Sequence, residues 1–181
     1  MALIKRYKSK MYGNYWLGIL KFGLLIGFGL SFTLIFRHFI KEPISQPVGF
    51  VENFALLGLM FVSVYLYKIG LEERRITFKE AYLVGFGAGI LGSIIYGMSL
   101  YGYALYLDSG LQERCYDVQR AIESNQNLSN ADIMFMTSPS SIAMSGILLS
   151  SIMSILWAMV AGILIRNEKG EIISKDKTFK I

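Results

Sequence analysis

Four stretches of the chain are long and almost unbroken in apolar residues, at about 15–36, 50–67, 81–107 and 140–165. A bilayer core of about 30 Å needs roughly 20 residues of helix, so each stretch is predicted to be a membrane-spanning helix. The third is the longest and has room to tilt or to run into the interface. A secretory signal peptide is the alternative for the first. The chain after Phe36 reads Arg-His-Phe-Ile-Lys-Glu-Pro, without a small-residue cleavage site, which favours an uncleaved span. The expectation is an all-α, integral membrane four-helix bundle occupying 1–181 as a single membrane domain. Polar tails are expected at 1–14 and 166–181, and a polar connection at 108–137.

Capping chemistry marks where helices begin. Thr77-Phe78-Lys79-Glu80 has the S/T-x-x-E form of a capping box and precedes the apolar run at Ala81. Ser138 followed by Pro139 reads as an N-cap with proline at the first helical position. Within the polar connection, Leu111, Cys115, Val118 and Ile122 recur at helical spacing, which predicts a short amphipathic helix. The stretch Asn125 to Asn130 breaks it, and Ser129 or Asn130 is placed to cap a second short helix through Asp132 to Met136.

Composition agrees with this pattern. Charged residues are 17% of the chain and the apolar set is 54%, whereas soluble domains are about 25% charged. A cytosolic enzyme and a disordered chain are both disfavoured. The net charge of +5 would raise nucleic acid as a partner in a soluble protein. Here the basic residues are spread by topology. Lys5, Arg6, Lys8, Lys10 and Lys21, then Lys68, Arg74, Arg75 and Lys79, then Arg166, Lys169, Lys175, Lys177 and Lys180 all fall on one side. Arg37, Lys41, Arg114 and Arg120 fall on the other, together with Glu42, Glu52, Asp108, Glu113, Asp117, Glu123 and Asp132. The basic side marks the cytoplasm, so both termini are expected inside (N-in, C-in). Nucleic acid is not needed to explain the charge.

Small residues recur every four positions in three spans. They are Gly23, Gly27 and Ser31 in the first; Ala81, Gly85, Gly89, Ser93 and Gly97 in the third; and Gly146, Ser150, Ser154, Ala158 and Gly162 in the fourth. Helices in lipid associate through close backbone approach, which such rows permit. The rows fit packing within the chain or a seam with another subunit.

Candidate chemistry is sparse. One histidine, His38, and one cysteine, Cys115, exclude a two-histidine zinc motif and an intrachain disulfide. No cofactor fingerprint occurs, and no metal or catalytic site is expected. Lys21, inside the first span, reads as a snorkelling cation. Gly97-Met98-Ser99 with His38 faintly resembles an intramembrane serine protease pair, but Leu100 stands where that pattern has glycine. Glu52 with Arg37 or Lys41 reads as a surface ion pair at the mouth of the second span. Cys115 is expected buried and inert. Tyr12, Tyr15, Trp16, Tyr65, Tyr67, Tyr101, Tyr103, Tyr106 and Trp157 fall mostly where aromatic belts form.

The stretch Ile76-Thr77-Phe78-Lys79-Glu80-Ala81-Tyr82-Leu83-Val84-Gly85 resembles the I-S-F-x-E-A-x-x-x-G signature of a bacterial membrane family called domain of unknown function 4199. The family's Ile76, Thr77, Phe78, Glu80, Ala81 and Gly85 positions are all filled or conservatively replaced. The polar connection before Ser138-Pro139 is similar to the family's long third connection. The resemblance covers about 15 to 166 and implies a four-span protein of a Bacteroidota inner membrane, with no established activity and no catalytic residues. The expected function is therefore non-enzymatic: a small subunit or an assembly or scaffolding factor of a membrane complex. Its partners would be the lipid bilayer and another membrane protein or further copies of itself. A homo-oligomeric transporter or channel for a small solute is the alternative.

Overall fold

The computed structural model describes residues 2–40, 46–71, 75–122 and 127–167, with side chains from 15 to 39 and from 50 onward. The basic N-terminal side chains, Lys41, Glu42, Arg74, Glu123, part of the Asn125–Asn130 break and the tail from 168 lie outside them. All described regular structure is helical. Helix α1 is Ala2–Ile40, α2 is Gln46–Ile69 and α3 is Phe78–Gly102, extended by one π turn over Tyr103–Leu107. Helix α4 is Leu111–Ala121, α5 is Asn130–Met136 and α6 is Pro139–Ile165. Four helical segments are long and apolar enough to cross a membrane: Tyr15–Phe39, Phe50–Ile69, Phe78–Leu107 and Pro139–Ile165.

The predicted caps are in place. Thr77 accepts from the Glu80 N–H at 3.3 Å, and the Glu80 carboxylate accepts from the Thr77 N–H at 3.0 Å. Ser138 accepts from the Ser141 N–H, with Pro139 opening α6. Ser129, not Asn130, caps α5 by accepting from the Asp132 N–H at 3.2 Å. Each satisfies an N–H that the helix itself leaves unpaired. The amphipathic helix α4 forms with Leu111 and Cys115 buried. It stops one residue before Ile122, which is extended and exposed, so the predicted stripe loses its last member.

Helix α3 is the centre of the bundle, packed along α1 on one side and α6 on the other, while α2 closes the ring between α1 and α6. The first row of small residues receives side chains of α3 in step. A Cβ at Gly23 would meet Leu91, one at Gly27 would meet Ile95, and the Ser31 hydroxyl donates to Ser99 at 2.8 Å. The third-span row meets α6 running the opposite way. Gly85 faces Ala158, Gly89 faces Ser154 and Gly97 faces Ile147. Beyond that pairing, Gly146 is covered by Leu100, and Gly162 by Phe78. At Gly89 the fit leaves no room, since a Cβ there would lie 2.6 Å from the Cβ of Ser154.

The end of the bundle bearing the Thr77 cap is clasped. The Asn167 N–H donates to the Ile76 carbonyl, and the Ile76 N–H donates to the Asn167 side-chain oxygen, both at 3.2 Å. Lys68 donates to the carbonyl of Ile165 at 2.9 Å, which places a cation where the last carbonyls of α6 point. The family-like motif is thereby accounted for in structural terms. Ile76 is buried at the clasp, Thr77 and Glu80 form the cap, Phe78 stacks on Tyr82, and Ala81 and Gly85 are buried.

Candidate polar site at the α4–α5 end

The buried face of α1 runs through Phe22, Ile26, Leu30 and Leu34 at four-residue steps. Continuing that face brings Arg37, not His38, into the interior, where it is 1% exposed. Its Nη2 donates to the Glu52 carboxylate of α2. Glu52 is only 18% exposed, so the expected surface pair is instead a buried one. The correction has a physical reason. A hydropathy reading ends a span at its first ionisable residues, but the helix continues with the same face inward. Lys41 lies outside the described residues. Tyr96 of α3, itself buried, is a side-chain hydrogen-bond partner of Glu52. The Nε and Nη1 of Arg37 are buried without a partner among the described residues.

A second cluster stands beside the first. The Asp108 carboxylate accepts from the Tyr103 hydroxyl at 3.0 Å and from the Arg114 guanidinium. Burial pushes the Asp108 carboxyl up. The hydrogen bonds from Arg114 and Tyr103 and the charges of Arg114 and His38 outweigh it and hold the group below its ordinary range. His38 is exposed and sits edge-on to Tyr103, with ring centroids 6.0 Å apart. Because Arg37 and His38 are consecutive, the end of α1 joins both clusters. The π turn contributes directly. The Asp108 N–H bonds to the Tyr103 carbonyl at 3.0 Å, so residues 103 and 108 are linked by backbone and by side chain.

Next to Glu52 lies a cavity of about 590 Å³ between α2, α3, α4 and α6. Its polar wall is formed by Glu52, Asn53, Tyr96, Gln119, Thr137, Ser145 and Ser150, and Cys115 lines it as well. Cys115 is buried, as expected.

The other candidates resolve as follows. Ser99 donates to the Ile95 carbonyl at 3.0 Å and accepts from Ser31, while the ring contacts of His38 are to Phe39 and Tyr103. Lys21 is exposed, 5.9 Å from the Phe22 ring centroid. Tyr67 and Tyr103 are buried, the former edge-on to Phe22, so these two are packing residues and not belt residues. Among the described residues no group of three His, Cys, Asp or Glu side chains is placed to hold a metal. The cavity and the buried pair went unread because both need three helices brought together. The one available signal was the stride of α1, which points at position 37.

No curated protein and no solved structure matches the chain. A family model described as a protein of unknown function (DUF4199) matches residues 18–167. That match takes in the capped start of α3, the polar site and the Asn167 clasp, and the chain belongs to the DUF4199 family.

Proposed function

We propose that the protein is a non-enzymatic, multi-pass membrane protein acting as a small subunit or assembly factor of a larger membrane complex, with α2 as its docking face. The observation that supports this reading is Gly58. Val51, Phe54, Val62, Tyr65 and Ile69 form one exposed apolar stripe along α2, and Gly58 lies in the middle of it. The span glycines of α1, α3 and α6 up to Gly97, and those of α6 beyond, are covered by neighbouring side chains, whereas nothing lies within 4 Å of a Cβ at Gly58. Lipid contact alone gives no reason for a glycine, which costs about 1 kcal/mol in a helix against alanine. A second helix approaching closely does.

The test is the mass and composition of the particle released from native membranes in mild detergent. A stoichiometric second protein is the expected result, and a bare monomer would overturn the reading. Gly58→Leu is expected to release the partner while leaving the chain folded, because the added side chain meets no atom of its own protein. A homo-oligomeric transporter or channel is the competing reading. The Arg37–Glu52 pair favours it, since ionisable groups within spans often mark translocation paths. A defined homo-oligomer without a partner would put that reading first.

The proposed location is the inner (cytoplasmic) membrane of a bacterium, with both termini cytoplasmic. Its support is the clustering of Lys and Arg on the side of the tails and of the α2–α3 connection. Single cysteines at positions 9, 109 and 174, replacing serines in a Cys115→Ser background, test it. Only the cysteine at position 109 is expected to react with an impermeant reagent added from outside.

A further inference from the structure

We infer that the cavity beside Glu52 is a binding site for a neutral amphiphile, which places a hydroxyl-bearing head inside and lets its chain leave between α2 and α6. The cavity volume of about 590 Å³ falls within the range of about 300–1,000 Å³ usual for small-molecule sites. Charge decides the class of head. Glu52 is the only carboxylate on the wall, and the residues lining the cavity include no Lys, Arg or His. A phosphate head would therefore enter without a cation to meet it. An ammonium head would find a carboxylate already committed to Arg37, with the guanidinium charge directly behind it. A hydroxyl meets neither penalty. A carboxylate has about four lone-pair sites, so Glu52 can accept from a ligand hydroxyl while holding Arg37, and the Asn53 amide and the Ser150 hydroxyl can both donate and accept.

The opening decides the rest of the ligand. Phe50 of α2 and Leu149 of α6 line the cavity and are 63% and 56% exposed. Both lie within segments apolar enough to cross a membrane, so the mouth between them faces the hydrocarbon. A chain leaving there keeps its apolar contacts while the head makes hydrogen bonds. This inference rests on the membrane setting of the helices and is independent of the docking role proposed for α2.

Cys115 is the chain's single cysteine and lines the cavity, so its alkylation reports occupancy. The experiment uses the full chain in phosphatidylcholine nanodiscs and N-ethylmaleimide. Added monoacylglycerol is expected to slow alkylation, by about tenfold when present at about ten times its Kd. Equal amounts of phosphatidylethanolamine, phosphatidylglycerol or free glycerol are expected to leave the rate unchanged. Ser145→Trp, at an exposed position on the wall, is expected to slow alkylation by itself and to abolish further protection. Three results would each overturn the inference. One is no protection by monoacylglycerol. Another is equal protection by a phospholipid or by glycerol. The third is a thiol that reacts only after unfolding.

Discussion

Leucine in place of Gly89 is expected to prevent α3 and α6 from closing on each other. The clash is with the stem of Ser154, whose Cβ and Oγ would lie 2.6 and 2.5 Å from the new Cβ, and with the Met60 methyl at 2.9 Å. A long side chain can swing away from an intruding atom, but a serine Cβ moves only with its helix. Ser154 is fully buried and its hydroxyl bonds to the Ser150 carbonyl at 2.7 Å, so α6 would have to shift as a body. Overpacking of this kind costs about 3 kcal/mol, the upper end of the usual range, and here it falls on the most extensive helix pair in the bundle. Equilibrium unfolding in mixed micelles is the measurement. A variant as stable as the parent would show that α3 and α6 are not held at this spacing. Gly58→Leu is the internal control, since it adds the same side chain where nothing stands in its way.

Replacing Arg37 by methionine is expected to cost about as much for the opposite reason, because it leaves a charge with no countercharge. Methionine fills much of the arginine stem's volume and keeps the helix, but the Glu52 carboxylate is left without its guanidinium at low exposure. Removing one member of a buried pair costs about 3–5 kcal/mol, whereas replacing both by apolar groups of similar volume is often nearly neutral. The double variant Arg37→Met/Glu52→Leu should therefore recover most of the loss. In the same unfolding assay, a double variant no better than the single one would show that Arg37 acts through packing and not through its charge. The partnerless Nε and Nη1 of Arg37 strengthen the expectation of recovery, because the apolar pair also removes two buried donors with no acceptor.

The extent to which this fold can be read from its sequence follows from the range of each interaction. Span positions depend on runs of about 20 residues and on caps within four residues, so the Thr77 and Ser138 starts and all four spans were legible. The four-residue rows found one face of α3 and overlooked the other. Gly92 lies off the row at 85, 89, 93 and 97, yet a Cβ there would lie 3.1 Å from the Gly27 backbone nitrogen and 2.8 Å from the Ile26 Cβ. A row search stops at one face per helix, while a central helix has two. The polar site was hidden for a related reason. Arg37 and Glu52 were read as flanks because hydropathy scores each residue by type. Their burial follows from phase around α1 and from the presence of α2 and α3. The cavity has no signature along the chain, since α2, α3, α4 and α6 contribute to it from positions as far apart as Phe50 and Ser150.

The π turn at the end of α3 has a consequence for insertions and deletions. Where the bond from Asp108 skips back to Tyr103, the helix carries one residue more than an α-helical ladder requires. The chain can thus lose a residue here, for example the exposed Leu105 or Tyr106, and still end in unbroken helix. It would not keep its junction with α4. Removing one residue turns everything after it by about 100° around the axis, carrying Asp108 away from the Tyr103 hydroxyl and Arg114. A chain shortened by one residue at this point should cross the membrane as before and have lost the hold of α3 on the polar helices above it.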